Sequence, residues 1–171
     1  MWKIMKKTIL FKGNPVTVTD KGLKVGDKFP GFKAVNKDLA DFSLEDVKGK
    51  VVALNAFPSI DTGICALQTV RFNKEVANYN DLAVVTISKD LPFALGRFCG
   101  DNGVENAITV SDYKYRDFEN NAGGLIEELG LLARAVYVLD KDGVIKYIEV
   151  CEEVADEPKY DKALEVIKTL V

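Results

Sequence analysis

The sequence contains no histidine. That absence removes Cys-His and Ser-His hydrolases, haem peroxidases with a proximal histidine, and nearly every zinc enzyme. Any base or charge partner for a nucleophile must therefore be arginine, lysine, a carboxylate or the backbone. Cysteine is scarce as well. Cys65, Cys99 and Cys151 are the full set, too few and too widely spaced for a disulfide scaffold. No C-x-x-C occurs, which argues against thioredoxin-type dithiol exchange in its usual form. No apolar run approaches the ~18–20 residues that a membrane helix needs. Neither charge sign dominates: 26 acidic residues against 23 basic ones give a net charge of −3, so no general attraction to nucleic acid is expected. The start, Met1-Trp2-Lys3-Ile4-Met5-Lys6-Lys7, is basic, but no apolar core or small-residue cleavage site follows it. No signal peptide and a cytoplasmic location are the expectation.

What remains is an ordinary globular balance, 47% hydrophobic and 29% charged over 171 residues. One domain over residues 1–171 with a good-sized core is expected. Residues 8–11 and 16–19 flank Lys12-Gly13-Asn14-Pro15 and read as an N-terminal β-hairpin over about 8–19. A loop-rich stretch follows, with turn signals at Gly26-Asp27, Pro30-Gly31 and Lys48-Gly49-Lys50. Then elements alternate. The pattern predicts a buried strand at 51–57, a helix at 64–79 and a strand at 82–88. A second helix starts from Leu91, with Asp90 as N-cap and Pro92 in its first turn. A short strand at 107–110 and a helical piece at 115–120 come next. Strands at 134–140 and 144–150 are joined by the tight turn Lys141-Asp142-Gly143. A last helix begins near Pro158, with Leu164, Ile167 and Leu170 on one face. A βαβ start with an appended hairpin and terminal helix implies an α/β fold with a mixed sheet covered on both faces, the thioredoxin-like arrangement.

The chemistry concentrates in Pro58-Ser59-Ile60-Asp61-Thr62-Gly63-Ile64-Cys65. These residues link the first buried strand to the first helix, so Cys65 lies in a helical first turn, where free N–H groups and the helix dipole favour an anion. The thiolate, not the thiol, is the nucleophile. Cys65, Thr69, Phe72, Val76 and Tyr79 share one helix face, which puts the cysteine on the buried side. Dry surroundings oppose ionisation. A helix terminus offers ~0.3–1 kcal/mol, up to ~2, whereas lowering a thiol by ~2.5 units takes about 3.4 kcal/mol. A nearby cation is required. Arg134, inside the apolar run Leu131-Leu132-Ala133-Arg134-Ala135-Val136-Tyr137-Val138, is the best candidate. A guanidinium in a core strand needs an anion, and the pattern alone leaves three options: the thiolate, a buried carboxylate, or snorkelling to the surface. Thr62 offers a hydroxyl either to the site or to the N–H of residue 64 or 65 as a helix cap. Pro58 ends the strand and lacks an N–H. Cys151 closes the last strand beside Glu152-Glu153, and nothing around it favours a thiolate.

The spacing P-x-x-x-T-x-x-C matches the active-site signature of the peroxiredoxins. The stretches Gly13-Asn14-Pro15-Val16-Thr17-Val18, Asp90-Leu91-Pro92-Phe93-Ala94, Arg97-Phe98-Cys99, Leu131-Leu132-Ala133-Arg134-Ala135-Val136 and Asp156-Glu157-Pro158 resemble the bacterial thiol peroxidases. These are atypical two-cysteine peroxiredoxins, and the resemblance runs over nearly the whole chain. One departure is Gly63, where proline often follows the threonine. The resemblance implies a thiol-dependent peroxidase acting on hydrogen peroxide and organic hydroperoxides, with a weak lean to alkyl substrates. It implies that Cys65 attacks the peroxide, that Cys99 of the same subunit resolves the sulfenic acid as a disulfide, and that Thr62 and Arg134 position the substrate. It further implies a thioredoxin reductant, a homodimer, and no metal, haem or flavin. Two readings from other classes stand beside it. One is a non-enzymatic redox sensor and the other a thiol–disulfide oxidoreductase, the latter weakened by the missing C-x-x-C.

Overall fold

A computed structural model describes residues 5–171. The residues before Met5, part of the basic start, lie outside the described residues, as does the side chain of Val76. Strands β1 (Met5–Phe11) and β2 (Asn14–Asp20) form the expected hairpin. Its turn is shorter than the sequence implied. Only Lys12 and Gly13 lie between the strands, at φ 50° and 80°, a two-residue turn whose twist matches the strands it joins. Asn14 and Pro15 instead pair with Phe11 and Leu10.

The central sheet is built on β5 (Val51–Ala56), β6 (Leu82–Ser88) and β7 (Ile108–Ser111), which run parallel. Every residue of β5 and β6 is buried, as strands covered on both faces require. Antiparallel strands β10 (Ala135–Leu139) and β11 (Ile145–Val150) extend one side, and β3 (Lys33–Asn36) and β4 (Asp41–Ser43) the other. The seven-stranded order is β11-β10-β5-β6-β7-β3-β4. A second sheet, in order β1-β2-β8-β9, adds β8 (Gly123–Ile126) and β9 (Leu131–Leu132) to the hairpin. The sequence reading missed β3, β4, β8 and β9. Strands of two to four residues are too short to show alternation, and β8 opens on Gly123-Gly124, a turn signal.

Helices α1 (Gly63–Val76), α2 (Pro92–Asn102) and α4 (Tyr160–Leu170) occupy one side. There Val51, Ala53, Leu82 and Val84 pack against Phe72, Cys99, Tyr160, Ala163, Leu164 and Ile167. On the other face Val52, Leu54, Ala83 and Val85 meet Phe29, Phe32, Phe42, Tyr137 and Phe118 of the short α3 (Asp117–Asn121). This is the mixed, doubly covered sheet expected of a thioredoxin-like fold. No helix among the described residues is long and apolar enough to cross a membrane.

Two helix boundaries differ from expectation, and one of them matters for the site. Helix α1 stops at Val76 rather than reaching residue 79, and Asn78 N–H closes onto Glu75 O at 3.1 Å. At α2 the cap position belongs to Leu91, with no side-chain cap, and not to Asp90. The Asp90 carboxylate is occupied elsewhere, as described below. Gly103 ends α2 in the left-handed conformation, φ 64°, with its N–H on Cys99 O, the usual geometry of a glycine stop. Because β5 and β6 are adjacent and parallel, α1 and α2 both begin at the same edge of the sheet.

Candidate active site

Cys65 is the third residue of α1 and is fully buried, packed with Phe57, Ile60 and Leu95, with Phe98 alongside. Into this dry pocket comes Arg134, from the residue just before β10. It is 2% exposed. Its Nη1 donates to Cys65 Sγ at 3.1 Å and to Gln68 Oε1 at 3.2 Å, while Nε donates to Val154 O at 2.9 Å. Neither the buried-carboxylate partner nor the snorkelling side chain is what the structure contains. The cation that the energetics demanded sits on the sulfur, in a setting where desolvation strengthens charge-assisted hydrogen bonds.

The other residues singled out from sequence divide. Pro58 is buried directly after β5 and Phe57. Thr62 occupies the N-cap position of α1 but makes no side-chain cap. Its hydroxyl donates to Ser59 O at 3.0 Å, so the expected bond to the N–H of residue 64 or 65 is absent, and Thr62 stands exposed at the helix start. Cys99 is not beside Cys65. It belongs to the side-chain cluster under α1, α2 and α4, and its sulfur lies 3.5 Å from Thr109 Oγ1. All three cysteines are free. Cys151 is buried, and burial followed by the Glu149 charge pushes its thiol up to about 12, so it stays a neutral thiol at ordinary pH.

Three groups near the cysteines were not anticipated. Gln68, fully buried one turn after Cys65, holds Arg134 through Oε1 and passes its Nε2 to Asn55 Oδ1 at 3.3 Å. Asn55 lies opposite Thr86, and Thr86 opposite Thr109, in the parallel pairings of β5 with β6 and of β6 with β7. A polar row thus crosses three buried strands from the Arg134 side to the Cys99 side. Among the described residues Asn55 Nδ2 and Thr86 Oγ1 have no hydrogen-bond partner. The signal was there to read. Asn55 interrupts an apolar strand just as Arg134 does, and Gln68 follows Cys65 by one helical turn. The third group is Asp90, whose carboxylate accepts from Ser59 Oγ, Ile60 N–H and Ser88 Oγ, each at 2.7 Å.

A thiol on a helix start, shielded from water and bound to a guanidinium, is equipped for nucleophilic attack on a polar O–O or S–S bond. The redoxin family profile matches residues 24–164. The chain belongs to the redoxin family. Within the family it groups with the bacterial thiol peroxidases. It is 47% identical over 163 residues to the thiol peroxidase of Bacillus subtilis, covering 95% of this chain and 98% of that one. It is also 47% identical over 162 residues to the thiol peroxidase of Streptococcus pneumoniae, covering 95% and 99%. A crystal structure of a peroxiredoxin-like protein from Aquifex aeolicus superposes with a TM-score of 0.91 at 39% identity, over 99% of this chain and 100% of that one. A thiol peroxidase structure from Chromobacterium violaceum shares the fold at a TM-score of 0.84 and 22% identity, over 95% of both chains. Membership of this family accounts for the mixed sheet and its flanking helices.

Proposed function

We propose that this chain is a thiol-dependent peroxidase that reduces hydroperoxides through Cys65. The observation that carries the reading is the Arg134 Nη1 contact to Cys65 Sγ at 3.1 Å inside an apolar pocket. The Cys65 thiolate attacks the terminal oxygen of ROOH. An S–O bond forms as the O–O bond breaks, and the departing alkoxide or hydroxide takes a proton to leave as alcohol or water. Arg134 steadies both the thiolate and the charge that moves onto the leaving oxygen. Thr62, at the exposed start of α1, orients the peroxide from the solvent side, and Pro58 keeps the pocket floor free of a competing N–H.

The product is the sulfenic acid of Cys65. The Cys99 thiol displaces its hydroxyl group as water, giving a Cys65–Cys99 disulfide within one subunit. Thioredoxin then returns two electrons and two protons to restore both thiols. Both hydrogen peroxide and organic hydroperoxides are substrates in this reading. The chain works as one domain, in the cytoplasm and as a homodimer, for which the exposed Leu67, Leu91 and Phe93 at the starts of α1 and α2 supply apolar surface.

Steady-state peroxide consumption with thioredoxin, its reductase and NADPH is the test. The wild-type chain turns over repeatedly. Cys65→Ser consumes nothing, because a hydroxyl is barely ionised at neutral pH and forms no sulfenic acid. Cys99→Ser consumes one equivalent and stops. Repeated turnover by Cys65→Ser overturns the assignment. A wild-type chain that is oxidised once and never recycles is a redox sensor instead.

A further inference from the structure

The Cys65 loop and the start of α2 are tied together by one side chain that the catalytic scheme does not use. Asp90 lies between β6 and α2, where its sequence position suggested a helix cap. Its carboxylate turns away from α2. Oδ1 accepts from Ser59 Oγ, and Oδ2 accepts from Ile60 N–H and Ser88 Oγ, each at 2.7 Å. The Asp90 carbonyl in turn accepts from Ser111 Oγ on β7. A second tie, Arg97 Nη2 of α2 to Asp61 Oδ1 at 3.4 Å, joins exposed residues of the same two segments. The stronger of the two is Asp90, since it is partly buried and its bonds are short and charge-assisted.

The position of this tie gives it meaning. Residues 59–62 lead into α1 and Cys65, while residues 90–92 lead into α2 and Cys99. In this arrangement each sulfur has a partner other than its proposed disulfide mate, Arg134 for Cys65 and Thr109 for Cys99. Cys99 lies seven residues into α2 and Cys65 two into α1. At 1.5 Å per residue their heights along parallel axes differ by roughly 7–8 Å. A disulfide needs Cα atoms within about 7 Å and Cβ vectors facing each other, so both segments must shift before the bond can form.

We propose that Asp90 is a positioning residue that latches the Cys65 loop to the start of α2 and thereby sets the rate at which the sulfenic acid is resolved by Cys99. The proposal rests on the peroxidase reading above. It assigns to Asp90 no contact with substrate. Closed, the latch keeps Ile60 over Cys65 as part of its apolar wall. Open, it frees the 59–62 loop and the first turn of α2 together.

Single-turnover rapid quench separates the two steps. Reduced protein is mixed with stoichiometric hydrogen peroxide, then acid-quenched and alkylated. Intact mass gives the reduced, sulfenic and disulfide fractions over time. In Asp90→Ala the peroxide-independent step, sulfenic acid to disulfide, accelerates about tenfold, a small share of what the three lost bonds to a charged carboxylate are worth together. The peroxide-dependent step changes by less than about threefold, because the Arg134 contact is left in place. Asp90→Asn, whose carbonyl still accepts from Ile60 N–H, falls between Asp90→Ala and wild type. Ser59→Ala, which removes one of the three bonds and the weaker Asp61 N–H contact to Ser59 Oγ at 3.2 Å without disturbing a charge, shifts the same step in the same direction by a smaller factor and guards against misfolding of the aspartate variants. Hydrogen exchange on the reduced proteins gives an independent reading: faster exchange confined to residues 58–65 and 90–103. An unchanged or slower resolution step in a folded variant, or parallel loss in both steps, overturns the latch. A wild-type chain that forms no Cys65–Cys99 disulfide defeats the peroxidase cycle instead, and the exchange experiment then decides the latch alone.

Discussion

Replacing Arg134 by methionine removes the charge and keeps much of the apolar stem. In the native structure one guanidinium serves three acceptors: Cys65 Sγ, Gln68 Oε1 and Val154 O, at 3.1, 3.2 and 2.9 Å. Loss of the bond to sulfur forfeits a charge-assisted interaction worth ~1.5–3 kcal/mol, which is about 10- to 100-fold in rate if it is made fully in the transition state. The other two acceptors become buried without a donor, at about 1–3 kcal/mol each. Removing a desolvated guanidinium offsets part of that cost. Second-order reactivity with hydrogen peroxide is therefore expected to fall at least tenfold, with a net stability loss of about 1–3 kcal/mol in urea unfolding. Competition against a reference peroxidase reads the rate. Arg134→Lys should be intermediate, because an ammonium is a point charge without the planar fork that reaches three acceptors. If stability falls while peroxide reactivity stays put, Arg134 is a structural cross-brace and the catalytic argument is wrong.

Two further outcomes follow from groups away from the pocket. Cys151, pushed up to about 12 chiefly by burial, should resist alkylation at neutral pH, and Cys151→Ser should leave peroxide kinetics within about twofold; a larger loss in a folded variant would give it a catalytic part. Glu153 clasps the hairpin turn, accepting from Lys12 and Gly13 N–H and from Ala155 N–H, and these bonds hold its carboxyl below the ordinary 4.5. A lowered carboxyl contributes stability above its unfolded value that is lost as pH falls through the folded one. Acidification below about 4.5 should therefore lower the exchange protection of residues 12–13, judged against the intrinsic rate at each pH. Glu153→Gln should exchange faster already at neutral pH and lose that pH dependence; an equal acid response in both proteins counts against the clasp.

The parts of this protein that could be read from sequence are those where one residue contradicts its neighbours. Arg134 in an apolar strand and Cys65 at a strand-to-helix junction marked themselves as the unusual pair, although the pattern left the guanidinium's partner open among three options. The long apolar runs at 51–57 and 82–88 announced buried strands by their near uniformity, and the helix between them made the pair parallel. Asn55 carried the same kind of signal and was passed over because its partner, Gln68, comes from the helix that folds back over it. Asp90 was misread as a helix cap because local pattern favours the nearest free N–H groups. Besides Ser88, its partners are Ser59 and Ile60, about thirty residues upstream. Thr62 failed as a cap for the opposite reason, since its hydroxyl donates to the nearby Ser59 O and caps no helix N–H. Strands β3, β4, β8 and β9 owe their existence to the strands they pair with, and residues this few carry no periodicity of their own.

The polar row of Asn55, Thr86 and Thr109 also has a consequence for how the chain finds its fold. Parallel neighbours have no short hairpin to fix their alignment, and β5, β6 and β7 are otherwise nearly uniform in aliphatic residues. Such strands could slide by one residue with little change in hydrophobic content. A slide of one turns every side chain to the opposite face. Thr86 would then point among Phe29, Phe118 and Tyr137, and Asn55 would face a valine or isoleucine of β6. Burying a hydroxyl or amide in that company costs about 1–3 kcal/mol per group. Only one alignment gathers all three polar side chains beneath α1 and α2, next to Gln68 and Cys99. The atoms that brace the reactive thiols thereby act as a key for strand order, and misaligned sheets are rejected by the same groups that serve the chemistry.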